Sequence, residues 1–192
     1  MLPSDLTWSK SIIGARFNAL RSTNQRAYAD YLEEYAAKLA QDECAAIFKP
    51  ATSVRSPEDF MLGEILVDVK TRALDRKFSM PNLISVDRAR KILKDPEKDV
   101  WYWFIDYSVH DDGTWIIDDS IIVPIWHLDW NALSIQNLGL GQIQISDWTC
   151  LIDSGPDRML WYKTLVDKTR EFYINLQGKL IKRIATLDKE TQ

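Results

Sequence analysis

The chain has 192 residues, 46% of them hydrophobic and 27% charged, with a formal net charge of −4. That is enough for one soluble domain (residues 1–192) with a substantial core, and it argues against a strongly basic coat for nucleic acid. No apolar run reaches the ~18 residues of a membrane span, the N-terminus lacks a secretory pattern, and Cys44 and Cys150 make neither a metal pattern nor a disulfide framework, so a cytoplasmic protein without a membrane partner is expected.

Residues 1–21 carry scattered apolar side chains, among them Leu6, Trp8, Ile12 and Phe17, which fit a short helix before Gly14. Ser22 to Gln25 spells a capping box, S-x-x-Q, opening a helix to about Ala46. On that helix Leu32, Ala36, Leu39 and Ile47 share a face, with Tyr28 and Tyr35 on its flank. Glu33 sits at the edge of this face, and Glu43 also falls on it. Residues 49–57 read as a loop.

The stretch from Pro57 to Arg72, PEDFMLGEILVDVKTR, is chemically the most informative. Gly63 can turn a hairpin into a strand from Ile65 to Thr71. Side chains alternate across a strand, so Asp68 and Lys70 share one face, while Ile65, Val67 and Val69 line the other. The hairpin brings Asp59 near Asp68. Two carboxylates suit a hard cation such as Mg²⁺, and a lysine beside them can steady a phosphate or orient water. The plainer alternative is a buried Asp–Lys ion pair in a core strand.

After Thr71 the chain looks irregular up to a turn at Met80-Pro81-Asn82, and Ser85 can cap a short helix from Val86 to about Lys94. Lys70 to Lys91 holds seven basic residues against two acids, a local patch fit for nucleic acid. Within it Arg72, Lys77, Asn82, Ser85 and Arg88 are the candidate DNA contacts. Val100 to Val109 is the clearest strand, turned at His110–Gly113 into Thr114–Ile117, with a further strand at Ser120–Trp126. A helix linking strands on either side makes the sheet mixed. His127, among apolar residues, is read as structural. Leu133 to Ile145 forms a glycine-broken hairpin, and a long amphipathic helix begins at about Pro156, with Gly178 expected to kink or divide it.

Asp59, followed by Asp68-Val69-Lys70 at the end of an apolar strand, resembles the PD-(D/E)xK nuclease superfamily, especially type II restriction endonucleases. The run TRALDRKFSMPNLISVDRARKIL is similar to the segment those enzymes place after the catalytic strand, and the match spans roughly residues 25 to 130. The resemblance implies an α/β fold with a restriction-endonuclease-like mixed central β-sheet flanked by helices. It implies Mg²⁺-dependent hydrolysis of duplex DNA, with Mn²⁺ as a substitute. Asp59 and Asp68 would be metal ligands, Lys70 would lie near the attacking water, and Glu33 would assist from the preceding helix, with Glu43 as its rival. Because this chain reads Pro57-Glu58-Asp59, Glu58 competes for the place of the first acid. Cutting both strands of a duplex with one small site implies a homodimer. Two other functions fit the same pattern: a recombination or repair nuclease acting on branched or single-stranded DNA, and a catalytically silent binding module.

Overall fold

A computed structural model describes residues 6–20, 24–53, 56, 58–77, 80–149, 151–152 and 157–190. The expected roles of Ser22 in the capping box and of Pro156 in the last helix lie outside the described residues. The chain groups into two compact units, Met1–Ser79 with Asp95–Ile125 and Met80–Lys94 with Trp126–Gln192.

The first unit is built on a six-stranded sheet. Its strands are β1 (Arg16–Phe17), β2 (Phe48–Pro50), β3 (Phe60–Leu62), β4 (Ile65–Ala73), β6 (Asp99–Val109) and β7 (Trp115–Pro124), in the order β1-β7-β6-β4-β3-β2. β4 and β6 run parallel and every other pair is antiparallel, so the sheet is mixed as the sequence requires. Gly63, at φ +64°, makes the two-residue turn between β3 and β4, a conformation that disfavours a side chain. Helix α1 (Gln25–Glu43) is capped by Asn24, whose side chain accepts from the Arg26 N–H at 3.0 Å. Its buried stripe is Tyr28, Leu32, Ala36 and Ala40. The stripe packs with Val67 and Val69 of β4 and with Trp103, Tyr107 and Trp115 of the neighbouring strands. The two alanines let helix and sheet approach closely, and the aromatic rings fill the remainder; Tyr28 and Trp115 meet edge-to-face at 5.3 Å.

Several sequence expectations are corrected here. The loop expected at residues 49–57 begins with strand β2, and Pro50 is tolerated because β2 lies at the sheet edge, where one side needs no donor. The strands expected at Thr114–Ile117 and Ser120–Trp126 are one strand, β7. An irregularity opposite Asp106 and Tyr107 absorbs Asp118, so the polar Asp118-Asp119 pair does not break the ladder. Helix α1 ends at Glu43 rather than Ala46, Tyr28 is buried rather than flanking, and Glu43 is exposed.

The second unit holds a three-stranded antiparallel sheet, β5-β9-β8, made of β5 (Asn82–Ser85), β8 (Leu133–Gln136) and β9 (Gln142–Ile145). β5 stands where a turn was expected, and Ser85 occupies the N-cap of α2 (Val86–Leu93) without a side-chain cap bond. Val86, Ala89 and Leu93 of α2 are buried, as are Ile143 and Ile145. Gly141 has no room for a side chain: a Cβ there would lie 3.1 Å from Val86 and 3.2 Å from Phe172. Helix α3 (Arg158–Glu190) runs through Gly178 without interruption. It buries Trp161, Leu165 and Thr169, whereas Leu180, Ile181, Ile184 and Leu187 stay exposed.

In the first unit, the buried Trp103 Nε1 donates to Ser120 Oγ at 2.8 Å, and that hydroxyl donates to the Ser9 carbonyl at 2.7 Å. Ser120→Ala leaves the buried Trp103 indole N–H without its acceptor. It should cost about 2 kcal/mol of stability in urea denaturation. A loss below about 0.5 kcal/mol would contradict this chain of bonds.

Candidate active site

Four of the residues singled out from sequence meet on the β3–β4 hairpin and α1. Asp59 immediately precedes β3, and its backbone N–H donates to the Val67 carbonyl at 2.9 Å. Its Oδ2 accepts from the Val69 N–H at 2.6 Å, so the hairpin itself fixes this carboxylate. Asp68 and Lys70 follow on β4, with the Lys70 ammonium donating to Asp68 Oδ1 at 2.6 Å. Their side chains are only 10% and 20% exposed, too little for water to screen the pair fully. Glu33 approaches from α1, half-buried, with Arg26 3.7 Å from its carboxylate.

The electrostatics bind these groups into one unit. Burial pushes Asp68 up to about 7; the Lys70 charge and hydrogen bond oppose the rise, and the Asp59 and Glu33 charges add to it. Asp59 is also raised by burial, against the Val69 N–H, the Lys70 and Arg26 charges and a hydrogen bond with Asp68. Glu33 is raised by burial and by the Asp59 charge. In all three acids burial outweighs the cations nearby. Asp59 is the preceding acid whose charge acts on Asp68, while Glu58 is buried at 8% exposure.

The donor set fits a hard divalent cation that brings most of its own ligands. Mg²⁺ takes one or two carboxylates and fills its octahedron with water and phosphate. Asp59 and Asp68, brought together on the hairpin, are the residues that would supply that pair. Glu33 does not complete a protein cage: among the described residues no three His, Cys, Asp or Glu side chains are spaced to hold a metal.

Sequence reading missed one neighbour. Tyr102 pairs in register with Asp68 across the parallel β4–β6 ladder, and burial, then the Asp68 charge, pushes its hydroxyl well above the usual range. Only the register reveals it. The candidate DNA contacts divide between the units. Arg72 donates to both carboxylate oxygens of Asp106, which faces it in register, and Lys77 is exposed. In the second unit Asn82 and Arg88 are exposed, and Ser85 is half-buried.

The mixed sheet with helix α1 packed on it has a restriction-endonuclease-like α/β fold. The NlaIV restriction endonuclease shares that fold with this chain at a TM-score of 0.54, over 86% of this chain and 85% of that one, with 14% identity. No family model matches the sequence, and no curated protein matches it. Among the described residues no helix is long and apolar enough to cross a membrane.

Burial pushes the Asp68 carboxyl up to about 7, well above the ordinary aspartate range. The folded chain therefore holds this proton longer than the unfolded chain does. The group favours the fold at low pH, and that advantage is lost as pH rises from about 4 to about 7. In metal-free buffer, Asp68→Asn should gain stability relative to the native chain between pH 5 and pH 8, read from urea midpoints. Parallel pH profiles for the two proteins would contradict the assignment.

Proposed function

We propose that this chain is a metal-dependent endodeoxyribonuclease that hydrolyses phosphodiester bonds of duplex DNA, in the manner of a restriction enzyme. The observation that carries the reading is the joining of Asp59, Asp68 and Lys70 on one hairpin, with both carboxylates pushed up by burial. Groups perturbed in this way by burial and by one another are characteristic of reactive sites. The NlaIV likeness supports the reading at the level of fold.

Asp59 and Asp68 would hold Mg²⁺, with Mn²⁺ as a substitute. When bound, the metal supplies Lewis-acid stabilisation of charge on the phosphate. Lys70 places a fixed ammonium beside the same phosphate, where it opposes the negative charge that builds as water adds to phosphorus and the sugar oxygen leaves. Asp68 orients that ammonium through its hydrogen bond. Glu33, its carboxyl raised above the ordinary range, is positioned to take a proton from the water. Lys77 and Arg88 are exposed cations suited to phosphate contact. Arg72, already paired with Asp106, would reach a phosphate only by exchanging partners or would act by holding β4 and β6 together. The reading includes a homodimer, so that two copies cut the two strands, and a cytoplasmic location where duplex DNA is found.

Supercoiled plasmid should be cut in the presence of Mg²⁺, and excess chelator should stop the cut. Asp68→Ala and Lys70→Ala should each lower the rate by at least about 100-fold while keeping the native circular dichroism spectrum. Glu33→Gln should lower it by about tenfold or more. Undiminished cutting by Asp68→Ala removes the assignment.

A further inference from the structure

The second unit's sheet has one apolar and one uncharged polar face. Ile143 and Ile145 of β9 and Leu133 of β8 are buried on the first. The opposite face carries two cross-strand rows: Asn82, Gln144 and Ser134, then Ser85, Gln142 and Gln136. None of these six side chains is charged, in a chain where 27% of residues are. An ordinary solvated strand face in such a chain would carry lysines and glutamates. Two of the amides are already oriented: Gln144 Nε2 donates to Asn82 Oδ1, and Gln136 Nε2 donates to Ser134 Oγ at 3.0 Å.

Charge surrounds this face without entering it. Lys168 and Lys179 of α3, with Glu171 between them, line a groove of about 410 Å³ together with Ser134 and Gln136 of the edge strand β8. Arg88 and Lys91 are exposed on α2, which begins directly after β5. The unit holds twelve lysines and arginines against nine acids, whereas the first unit holds twelve against nineteen. The net positive charge of the protein is thus confined to the unit that bears the amide rows.

We propose that this polar face is the base-reading surface for duplex DNA, with Gln136, Gln142, Gln144 and Asn82 as specificity-determining residues and adenine as the preferred contact. The proposal rests on the nuclease reading above and adds the part that selects sequence. Phosphate contacts need cations, whereas base edges need neutral groups that offer a donor and an acceptor together. A carboxamide does both in one plane and matches the N6 and N7 edge of adenine; a serine hydroxyl serves several bases. Strands can enter a groove of the duplex as readily as helices. Gln142 and Gln144 are two residues apart, roughly 6.8 Å along the strand, close to two base-pair steps of about 3.4 Å.

The test uses the full chain on a pool of random-sequence duplex DNA, with Mg²⁺, followed by sequencing of the cut ends. The native chain should show a motif containing adenine. Gln142→Ala and Gln144→Ala should each relax one or two positions of it by roughly tenfold and leave the other positions of the motif in place. Lys168→Ala should weaken cutting of all sequences alike. A motif unchanged in both glutamine variants overturns the proposal and leaves the nuclease reading standing. Absence of cutting by the native chain overturns the nuclease reading instead. The face is then judged by enrichment of bound duplexes on the immobilised chain: enrichment lost in the variants supports it, and absence of enrichment overturns it.

Discussion

The hydrogen bond from Lys70 to Asp68 joins an ammonium to a carboxyl group that burial pushes up to about 7, on a strand whose opposite face packs into hydrocarbon. A buried pair of this kind seldom stabilises a fold, since apolar residues of equal volume usually do as well or better. The surroundings limit the cost without removing it. The β3–β4 turn holds Asp59 by two backbone contacts, β6 sets Tyr102 beside Asp68, and α1 brings Glu33 into the same field. The Asp59 and Glu33 charges raise Asp68 further, which works against stability. The hairpin is thus poised electrostatically in a way that a merely structural ion pair does not require.

The rigid support for that hairpin comes from close packing. Ala36 and Ala40 let α1 settle on Val67 and Val69, while Trp103 and Trp115 fill the layer beside them. Trp103 keeps its indole N–H satisfied through Ser120 and Ser9. A site of charged side chains keeps its geometry only when the strand beneath it cannot shift, and here the apolar face of β4 performs that service.

Much of this was legible in the residues themselves. The period-two alternation from Ile65 to Thr71, the glycine at the turn and the aromatic run of β6 mark the hairpin and a further strand of its sheet, whereas the parallel β4–β6 pairing comes from the structure. What alternation cannot give is register, so the pairings of Asp68 with Tyr102 and of Arg72 with Asp106 appeared only in the structure. β7 was split because Asp118-Asp119 looks like a break when the bulge that absorbs it depends on the partner strand. β5 was missed because four residues with polar ends carry almost no periodic signal. Helical periodicity carried on to Ala46 puts Glu43 on the inward face, but the helix ends at Glu43 and that side chain is exposed. The two-unit grouping interleaves segments of the chain, so no linker-like stretch marks it.

The account turns on whether the acids of the β3–β4 hairpin form a cation site. Calorimetric titration of Mg²⁺ into the metal-free native chain and into Asp68→Asn, at pH 7.5, addresses this without requiring the right DNA sequence. The account predicts binding to the native chain and its loss, or a weakening of at least about tenfold, in the variant. Equal binding by the two proteins, or none by the native chain, would contradict it.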